Sequence, residues 1–240
     1  MTMATRVGKV ERKVRNMNAM SGISAEVVEV LKKVTSGMVA DALAMSGIEG
    51  GIRGVRPARG FEDVKIVGQA STVLFGPLTP DTPKMTMYRA VRKSAPGSVL
   101  VIDGKGQGGH FTGDNQGECA KRHGILGTVV YGGARDIAGY RRMGMPLWCM
   151  GSSVADKPPG LGIVGHNVPI EIGGVRVKPG DIIVADEDGA AVIPRETLEI
   201  FLDNLKVIIE IEDGMEEALQ RNAPVEDLEA VIGKKKRSKG

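Results

Sequence analysis

The sequence predicts a compact α/β domain, and three observations support that fold class. Apolar residues recur at helical spacing between residues 24 and 47. Short apolar runs of strand length alternate with helical stretches between residues 64 and 151. A series of short strands joined by tight turns follows, and a last long helix begins at Arg195. This order fits a compact α/β domain better than a regularly alternating doubly wound fold.

Composition narrows the class of protein. The 240 residues are 42% hydrophobic, which is enough for the core of one large domain, and no unbroken apolar run is long enough to span a membrane. The first 20 residues lack the apolar segment of a secretory signal. Two widely separated cysteines, Cys119 and Cys149, argue against a disulfide scaffold or a zinc site. We therefore expect a protein of the reducing cytoplasm.

Both ends of the chain differ from its middle. Residues 1–23 are polar and lack a clean period, which indicates an N-terminal extension, and residues 24–223 form the domain. Residues 224–240 are predicted to be a basic C-terminal tail. The net charge is only +3, and aromatic residues make up 3% of the chain. We therefore interpret the tails as solvated extensions and expect no nucleic-acid partner.

The domain begins with helices and then a strand. Ser24 is the predicted N-cap of a first helix, and Thr35 begins a second that carries Asp41 on its polar side. From the residues alone, Asp41 is predicted to be a surface residue of that helix. Residues 64–75 are one or two strands, interrupted by Gly68.

A glycine-rich loop follows a buried strand predicted at residues 98–103. Gly104, Gly106 and Gly109 match the G-x-G-x-x-G spacing of a dinucleotide-binding loop. No helix opens within this loop, and the next strand ends in Tyr131 instead of the acid that would hold a ribose. We therefore expect these glycines either to allow close backbone approach or simply to be flexible.

The functional prediction depends on residues 113–136, which predict a loop, a short helix, a strand and a second loop. Asp114 stands at the start of the helix. Arg135 and Asp136 follow the strand, in a loop that begins with a double glycine. Because a helix between two strand ends can return the chain to the same edge of a sheet, we expect these three charged groups to converge.

These residue types suit metal-assisted chemistry. Mg²⁺ or Mn²⁺ usually takes one or two carboxylates and several waters, which leaves room for a substrate. An arginine such as Arg135 can hold a carboxylate or an enolate oxygen. The backbone N–H groups at the helix start, including those of Asn115 and Gln116, can bind a small anion. Together these groups fit the stabilisation of an enolate during cleavage of a carbon–carbon bond.

The C-terminal half predicts a β-rich region and a long helix. Residues 152–167 are predicted to be a long loop rich in glycine and proline, and a hairpin turns at residues 173–174. The helix that begins at Arg195 is expected to break near Gly214 or Asn222.

The stretch GDNQGECAKRHGILGTVVYGGARD, together with the Gly-x-Pro that starts at Gly144, resembles the signature of the RraA-like superfamily. Two further stretches agree: TSGMVADAL from Thr35 and VKPGDIIVADEDGAAVIPRE from Val177. The resemblance spans residues 35–222. The superfamily includes the class II 4-hydroxy-4-methyl-2-oxoglutarate / 4-carboxy-4-hydroxy-2-oxoadipate aldolases.

The resemblance implies a compact β/β/α sandwich of the swivelling-domain type with mixed sheets. It implies trimers or hexamers with active sites between subunits. The implied activity is that of a pyruvate aldolase that requires Mg²⁺ or Mn²⁺. Such an enzyme cleaves a 4-hydroxy-2-oxo acid to pyruvate and a second oxo acid, and its chemistry also allows decarboxylation of oxaloacetate.

The matching motif positions imply roles for the three charged residues. Asp136 resembles the direct metal ligand, and Asp114 resembles the acid that contacts the metal through a water. Arg135 resembles the residue that holds the pyruvyl group.

The same resemblance implies that the loop at Gly113 binds substrate and that the backbone amides of Asn115 and Gln116 hold the pyruvate carboxylate. Many relatives have leucines in place of these two residues, and an acid in place of Tyr131. Backbone binding tolerates the first difference, whereas new side-chain contacts would alter the substrate.

Acids distant in sequence are also implied. Asp41, and either Glu210 or Glu212 in the last helix, resemble residues that reach the active site of an adjacent subunit.

A different function class is the alternative. Some members of the superfamily bind and inhibit an RNA-degrading endonuclease without catalysis, and the basic tails would suit such a contact. Retention of Asp114, Arg135 and Asp136 together favours the enzyme. A methyltransferase, a label that some relatives carry, is disfavoured because no acid closes the TVVY strand.

Overall fold

The computed structural model describes residues 23–235. The helices are α1 (Ala25–Leu31), α2 (Ser36–Ala44), α3 (Met87–Lys93), α4 (Asp114–Arg122), α5 (Ile137–Met143), α6 (Leu198–Gln220) and α7 (Val225–Ile232), with a 3₁₀ turn at Arg195–Thr197. The strands are β1 (Arg56–Pro57), β2 (Ile66–Pro77), β3 (Ser98–Asp103), β4 (His110–Thr112), β5 (Gly127–Ala134), β6 (Leu147–Ser152), β7 (Leu161–His166), β8 (Ile170–Ile172), β9 (Val175–Val177), β10 (Ile182–Asp186) and β11 (Gly189–Ile193).

The main sheet is mixed, as predicted. Its order is β1-β6-β5-β3-β2-β10-β11, with β4 paired to β5 and β7 paired to β2. Strands β2, β3, β5 and β6 run parallel, whereas β1, β7, β10 and β11 pair antiparallel with their neighbours. The parallel strands alternate with helices in the chain, because a parallel connection needs a crossover. Strands β8 and β9 form a separate antiparallel hairpin.

The segment before β2 brings the two edges of the main sheet together. The N–H of Ile52 donates to the carbonyl of Ala190 in β11 at 2.9 Å, and the N–H of Ala58 donates to the carbonyl of Leu147 in β6 at 2.8 Å. The sheet is therefore nearly closed, and its edge strands are covered by this glycine- and arginine-rich segment.

The sheet is buried on both faces, which explains its apolar strands. In β3, Leu100 and Ile102 pack on the side of α3, α4 and α5, whereas Val99 and Val101 pack inside the curved sheet against β8 and β9. All six residues of β3 are buried. This two-sided burial accounts for a run without alternation between apolar and polar residues. A separate cluster joins α1, α2 and α6 to β10 and β11.

Two glycines interpreted as strand breaks are packing positions instead. Strand β2 continues through Gly68, where an added Cβ would lie 2.9 Å from Leu126 Cδ1 and 3.1 Å from Val99 Cγ2. Strand β5 likewise includes the double glycine expected to lie in the following loop, and a Cβ on Gly132 would lie 2.7 Å from Phe111 Cδ2. The predictions of a break at Gly68 and of a loop at residues 132–133 were therefore wrong.

Two segments of the C-terminal half have more regular structure than expected, and the last long helix ends at one of its two predicted break points. The predicted loop at residues 152–167 contains β7, which pairs with β2. Helix α6 passes through Gly214 without a break and ends before Asn222, which has φ +50°. The segment expected to be a C-terminal tail contains α7, which packs on α6. None of the helices between residues 23 and 235 is long and apolar enough to cross a membrane.

Candidate active site

A pocket of about 330 Å³ opens at the C-terminal ends of β4 and β5. One side is formed by the loop and first turn of α4 together with the two residues after β5. The other sides come from the end of β2, the start of α3, strand β4, and the segment that leads into β7. The polar and charged lining residues are Thr86, Tyr88, His110, Asp114, Asn115, Gln116, Arg135, Asp136 and Lys157.

The register of two parallel strands brings the predicted charges together. Strand β4 pairs with β5 so that Thr112 lies opposite Ala134, and the N–H of Arg135 donates to the carbonyl of Thr112 at 3.1 Å. The chain then leaves both strands at the same edge. As a result, Asp114 and Asp136 line one pocket with Arg135. The convergence expected from the sequence is thus present in the structure.

Asp136 occupies a conformation that few non-glycine residues adopt. It has φ +58° and ψ +38° and stands at the N-cap of α5. Aspartate tolerates this left-handed region better than most residues, but the geometry still carries a cost. The carboxylate lies beside the Arg135 guanidinium, with Oδ2 3.3 Å from Nε, and both side chains are about half exposed. The turn therefore presents a carboxylate and a guanidinium together toward the pocket.

Two glycines allow the helices that carry the acids to approach closely. A Cβ on Gly139 of α5 would lie 2.4 Å from the Cβ of Asp114, and a Cβ on Gly117 of α4 would lie 2.7 Å from Cε1 of Tyr140. Gly113 has the same function, since its Cβ would lie 2.9 Å from Asp136 Oδ2. The positions of both carboxylates thus depend on the absence of side chains at these glycines.

The buried side chain of Tyr140 joins two elements of the site, α5 and β4. Its buried hydroxyl lies 2.7 Å from the Thr112 Oγ1. Burial raises the pKa of Tyr140 strongly, the Thr112 hydrogen bond opposes this, and the charges of Asp114 and Asp136 raise it further. The phenol therefore stays neutral, and its hydrogen bond with Thr112 joins β4 to α5.

Two backbone N–H groups at the start of α4 already have hydrogen-bond partners within the chain. The Gln116 side-chain Oε1 accepts the N–H of Gly113 at 3.2 Å, and the Gln116 N–H donates to the Gly113 carbonyl at 3.1 Å. The Gln116 amide therefore already has a partner. Asn115 lines the pocket beside it. The predicted binding of a carboxylate by these two amides stays a prediction.

The more distant acids lie outside this pocket. Asp41, on α2, forms an ion pair with Lys235, with 2.5 Å between Oδ1 and Nζ. Glu210 and Glu212 are exposed on α6. Because all three were predicted to reach the site of an adjacent subunit, their roles stay predictions.

His110 and Lys157 line the pocket but were not predicted to be site residues. His110 belongs to β4, inside the stretch interpreted as a glycine-rich loop, and Lys157 lies in the predicted loop before β7. The sequence feature that could have indicated the contact between this loop and Lys157 is the glycine at position 109. A Cβ on Gly109 would lie 2.5 Å from the Cα of Lys157, so the loop serves close backbone approach and opens no nucleotide-binding helix.

The pocket residues fit a divalent cation of the magnesium type. Among residues 23–235 no group of three or more His, Cys, Asp and Glu side chains could hold a metal ion. Mg²⁺ and Mn²⁺ sites commonly use one or two carboxylates with water and substrate oxygens, so Asp136 and Asp114 suffice in number and in donor type. The hydrogen atoms of Gly113 and Gly139 leave both carboxylates unobstructed.

Comparisons with known proteins agree with this fold. The family model RraA-like (Aldolase/RraA) matches residues 36–192. A protein of Halalkalibacterium halodurans that carries the provisional name 4-hydroxy-4-methyl-2-oxoglutarate aldolase is 32% identical over 205 residues, which cover 85% of this chain and 93% of that protein.

Two solved structures share the architecture. An uncharacterized protein from Pseudomonas syringae superposes with a TM-score of 0.73 at 26% identity, over 87% of this chain and 99% of that chain. RraAS2 of Streptomyces coelicolor, described as an unusual member of the RNase ES inhibitor RraA family, superposes with a TM-score of 0.69 at 30% identity, over 84% of this chain and 98% of that chain. With its matching family model and its mixed, nearly closed sheet, this chain belongs to the RraA-like (Aldolase/RraA) family.

Proposed function

We propose that this protein is a divalent-metal-dependent lyase that cleaves a 4-hydroxy-2-oxo acid into pyruvate and a second oxo acid. The observation that carries the proposal is the convergence of Arg135, Asp136 and Asp114 on one pocket at the ends of β4 and β5. The provisional aldolase name of a relative that covers most of the chain supports the same reaction class.

Asp136 and Asp114 would hold the cation, Mg²⁺ or Mn²⁺, which would act as a Lewis acid on the oxygens of the 2-oxo acid. Arg135 would bind the 2-oxo acid as a fixed, planar cation, because its guanidinium donates several hydrogen bonds in one plane. The helix-start amides around Asn115 would face the substrate carboxylate. The substrate is thereby oriented with its C3–C4 bond inside the pocket.

Cleavage begins when the C4 hydroxyl loses its proton to a base, a role that a water oriented by Asp114 would fill. The C3–C4 bond breaks, C4 becomes a carbonyl, and the bonding electrons pass to C3 and C2 as an enolate. Arg135 stabilises the negative charge on the enolate oxygen. Protonation at C3 then gives pyruvate. Oxaloacetate would follow the same path, because loss of CO₂ from C3 leaves the same enolate.

We further propose that the active oligomer is a trimer or hexamer in which Asp41 and Glu210 or Glu212 complete the site of a neighbour. The test uses Arg135→Ala subunits co-expressed with Glu210→Ala/Glu212→Ala subunits under different tags. Each variant alone should be inactive, whereas purified mixed oligomers should regain about a quarter to a third of wild-type activity, because some interfaces then join an intact Arg135 to an intact Glu210 and Glu212.

The matched control for that mixing experiment pairs Arg135→Ala with Asp136→Asn. Both changes lie in the same pocket, so mixed oligomers of these two should stay inactive. Complete inactivity of the first mixture, with both tags present in one oligomer, would contradict shared sites.

A binding protein without catalysis is the second candidate, favoured by the similarity to the Streptomyces coelicolor RNase ES inhibitor family member. Release of pyruvate from 4-hydroxy-4-methyl-2-oxoglutarate with Mg²⁺, and its loss on chelation, distinguishes the two functions. A folded, metal-loaded protein that releases no pyruvate but inhibits an RNA-degrading endonuclease would favour the binding role.

A further inference from the structure

The two carboxylates of the candidate metal site belong to different segments of the chain. Asp114 opens α4, and Asp136 stands at the N-cap of α5. The separation of the two carboxylates therefore depends on how the start of α4 packs on α5. This separation matters for Mg²⁺, which requires a near-ideal octahedral geometry at about 2.0–2.1 Å, whereas Ca²⁺ accepts a variable geometry at about 2.3–2.6 Å.

A hydrogen bond between two buried side chains joins these segments. Tyr140 of α5 is fully buried, and its hydroxyl lies 2.7 Å from Oγ1 of Thr112, which precedes the loop to Asp114. The Thr112 carbonyl also accepts the N–H of Arg135 at 3.1 Å. Thr112 is thus held, by its backbone and by its side chain, to the segment that carries Asp136.

The ring of Tyr140 extends this junction to α4. A Cβ on Gly117 would lie 2.7 Å from Cε1 and 2.8 Å from Cζ of the ring, so α4 packs directly on the aromatic face or edge. Beside Tyr140, the hydrogen atom of Gly139 leaves space for the side chain of Asp114, since a Cβ there would lie 2.4 Å from the Asp114 Cβ. Strand β4 and helices α4 and α5 therefore meet at Tyr140.

The pair of hydroxyls fixes geometry more than it adds stability. Burial of two hydroxyls costs free energy, and their hydrogen bond offsets that cost with only a modest net gain in the free energy of unfolding. Phenylalanine and valine would fill nearly the same volumes with no polar group to satisfy. A hydrogen bond is directional, in contrast to an apolar contact, and it therefore favours one separation of the two segments.

We infer that Tyr140 is a positioning residue: its hydrogen bond with Thr112 holds the two carboxylates at a separation that selects Mg²⁺ or Mn²⁺ over Ca²⁺. The inference rests on the proposed function, in which Asp114 and Asp136 hold the cation. Tyr140 acts through these aspartates and takes no part in the proton transfers.

Cation binding by the metal-free, full-length protein tests this inference without reference to turnover. Mn²⁺ binding is measured from the electron paramagnetic resonance signal of the free ion, and Mg²⁺ and Ca²⁺ are added as competitors. Tyr140→Phe, which removes only the hydroxyl, should weaken Mg²⁺ and Mn²⁺ binding about tenfold or more, the scale expected when a group that orients a metal ligand is lost. Its affinity for Ca²⁺ should change little, because Ca²⁺ tolerates a variable geometry.

Variants of Thr112 identify the hydrogen bond as the cause. Thr112→Val should reproduce the effect of Tyr140→Phe, and the double variant should show no further loss, because each single change removes the same bond. Thr112→Ser keeps the hydroxyl and should retain most of the Mg²⁺ affinity.

Ser71→Ala is the matched control for a general loss of stability. The Ser71 hydroxyl lies 2.7 Å from Ser94 Oγ, so this buried hydroxyl pair has the same length but lies outside the pocket. The variant should leave the affinities for all three cations unchanged. Wild-type Mg²⁺ affinity in Tyr140→Phe, or an equal loss of Mg²⁺ and Ca²⁺ affinity, would overturn the positioning role. Absence of cation binding by wild type would overturn the proposed metal-dependent function as well.

Discussion

Arg135→Ala is expected to lower kcat/KM for pyruvate formation by about 10³-fold or more, the scale seen when a preorganised charge facing a developing oxyanion is removed. The side chain is about half exposed, and its ion pair is with Asp136 in the same pocket. Its loss should therefore leave the fold intact. The measurement is steady-state pyruvate release under saturating Mg²⁺, with circular dichroism and thermal unfolding as checks of the fold.

Two further variants test the planar geometry of Arg135 and the role of Asp136 in metal binding. Arg135→Lys keeps the charge but loses the planar donor geometry, so its activity should lie between those of wild type and Arg135→Ala. Asp136→Asn keeps the shape of the side chain but removes the charge, so it should lose metal affinity together with activity. Near-normal turnover by purified Arg135→Ala would refute the assignment of this pocket.

Gly139→Ala is expected to lower activity by about 10²-fold although residue 139 does not contact substrate in the proposed mechanism. An added Cβ would lie 2.4 Å from Asp114 Cβ and 2.5 Å from its Oδ2. Because the clash involves an atom next to the backbone, a side-chain rotation cannot relieve it, and α4 and α5 must move apart. Displacement of a catalytic group by about 1 Å can cost about 10²-fold in rate.

The control for this variant is Gly37→Ala on α2. Among residues 23–235, an added Cβ there meets only Thr35 Oγ1, at 3.5 Å, an ordinary contact. We expect Gly37→Ala to leave turnover unchanged. The free energy of unfolding, measured by urea titration, should fall by about 1–3 kcal/mol for Gly139→Ala through overpacking. Equal turnover by the two variants would contradict the idea that close packing of α4 on α5 positions Asp114.

The convergence of Asp114, Arg135 and Asp136 could be predicted because it depends on chain order and strand direction alone. The chain leaves β3 for the loop that leads to Asp114, and it leaves the parallel neighbour β5 for Arg135 and Asp136, so both loops lie at one edge of the sheet. Strand β3 was likewise predictable, since a short apolar run between turn signals indicates burial on both faces. These features are local in sequence.

The errors share a physical cause. Glycine marks a break and also permits close packing, and sequence alone does not distinguish the two functions at Gly68 and Gly132. Strand β7 was missed because it contains Gly162 and Gly165, which lie under side chains of neighbouring segments and weaken its apolar pattern. Lys157 could not be placed at the pocket without that strand, because its position depends on contacts between distant segments.

The most direct test of the central claim is pyruvate release from 4-hydroxy-4-methyl-2-oxoglutarate by the full-length protein. Pyruvate is measured with Mg²⁺, after EDTA, and after Mg²⁺ is restored, with oxaloacetate as a second substrate. We predict release in the first and third conditions, at two molecules of pyruvate per molecule of 4-hydroxy-4-methyl-2-oxoglutarate, and none with EDTA. Absence of pyruvate from both substrates, with the protein folded and Mg²⁺ present, would contradict the aldolase assignment.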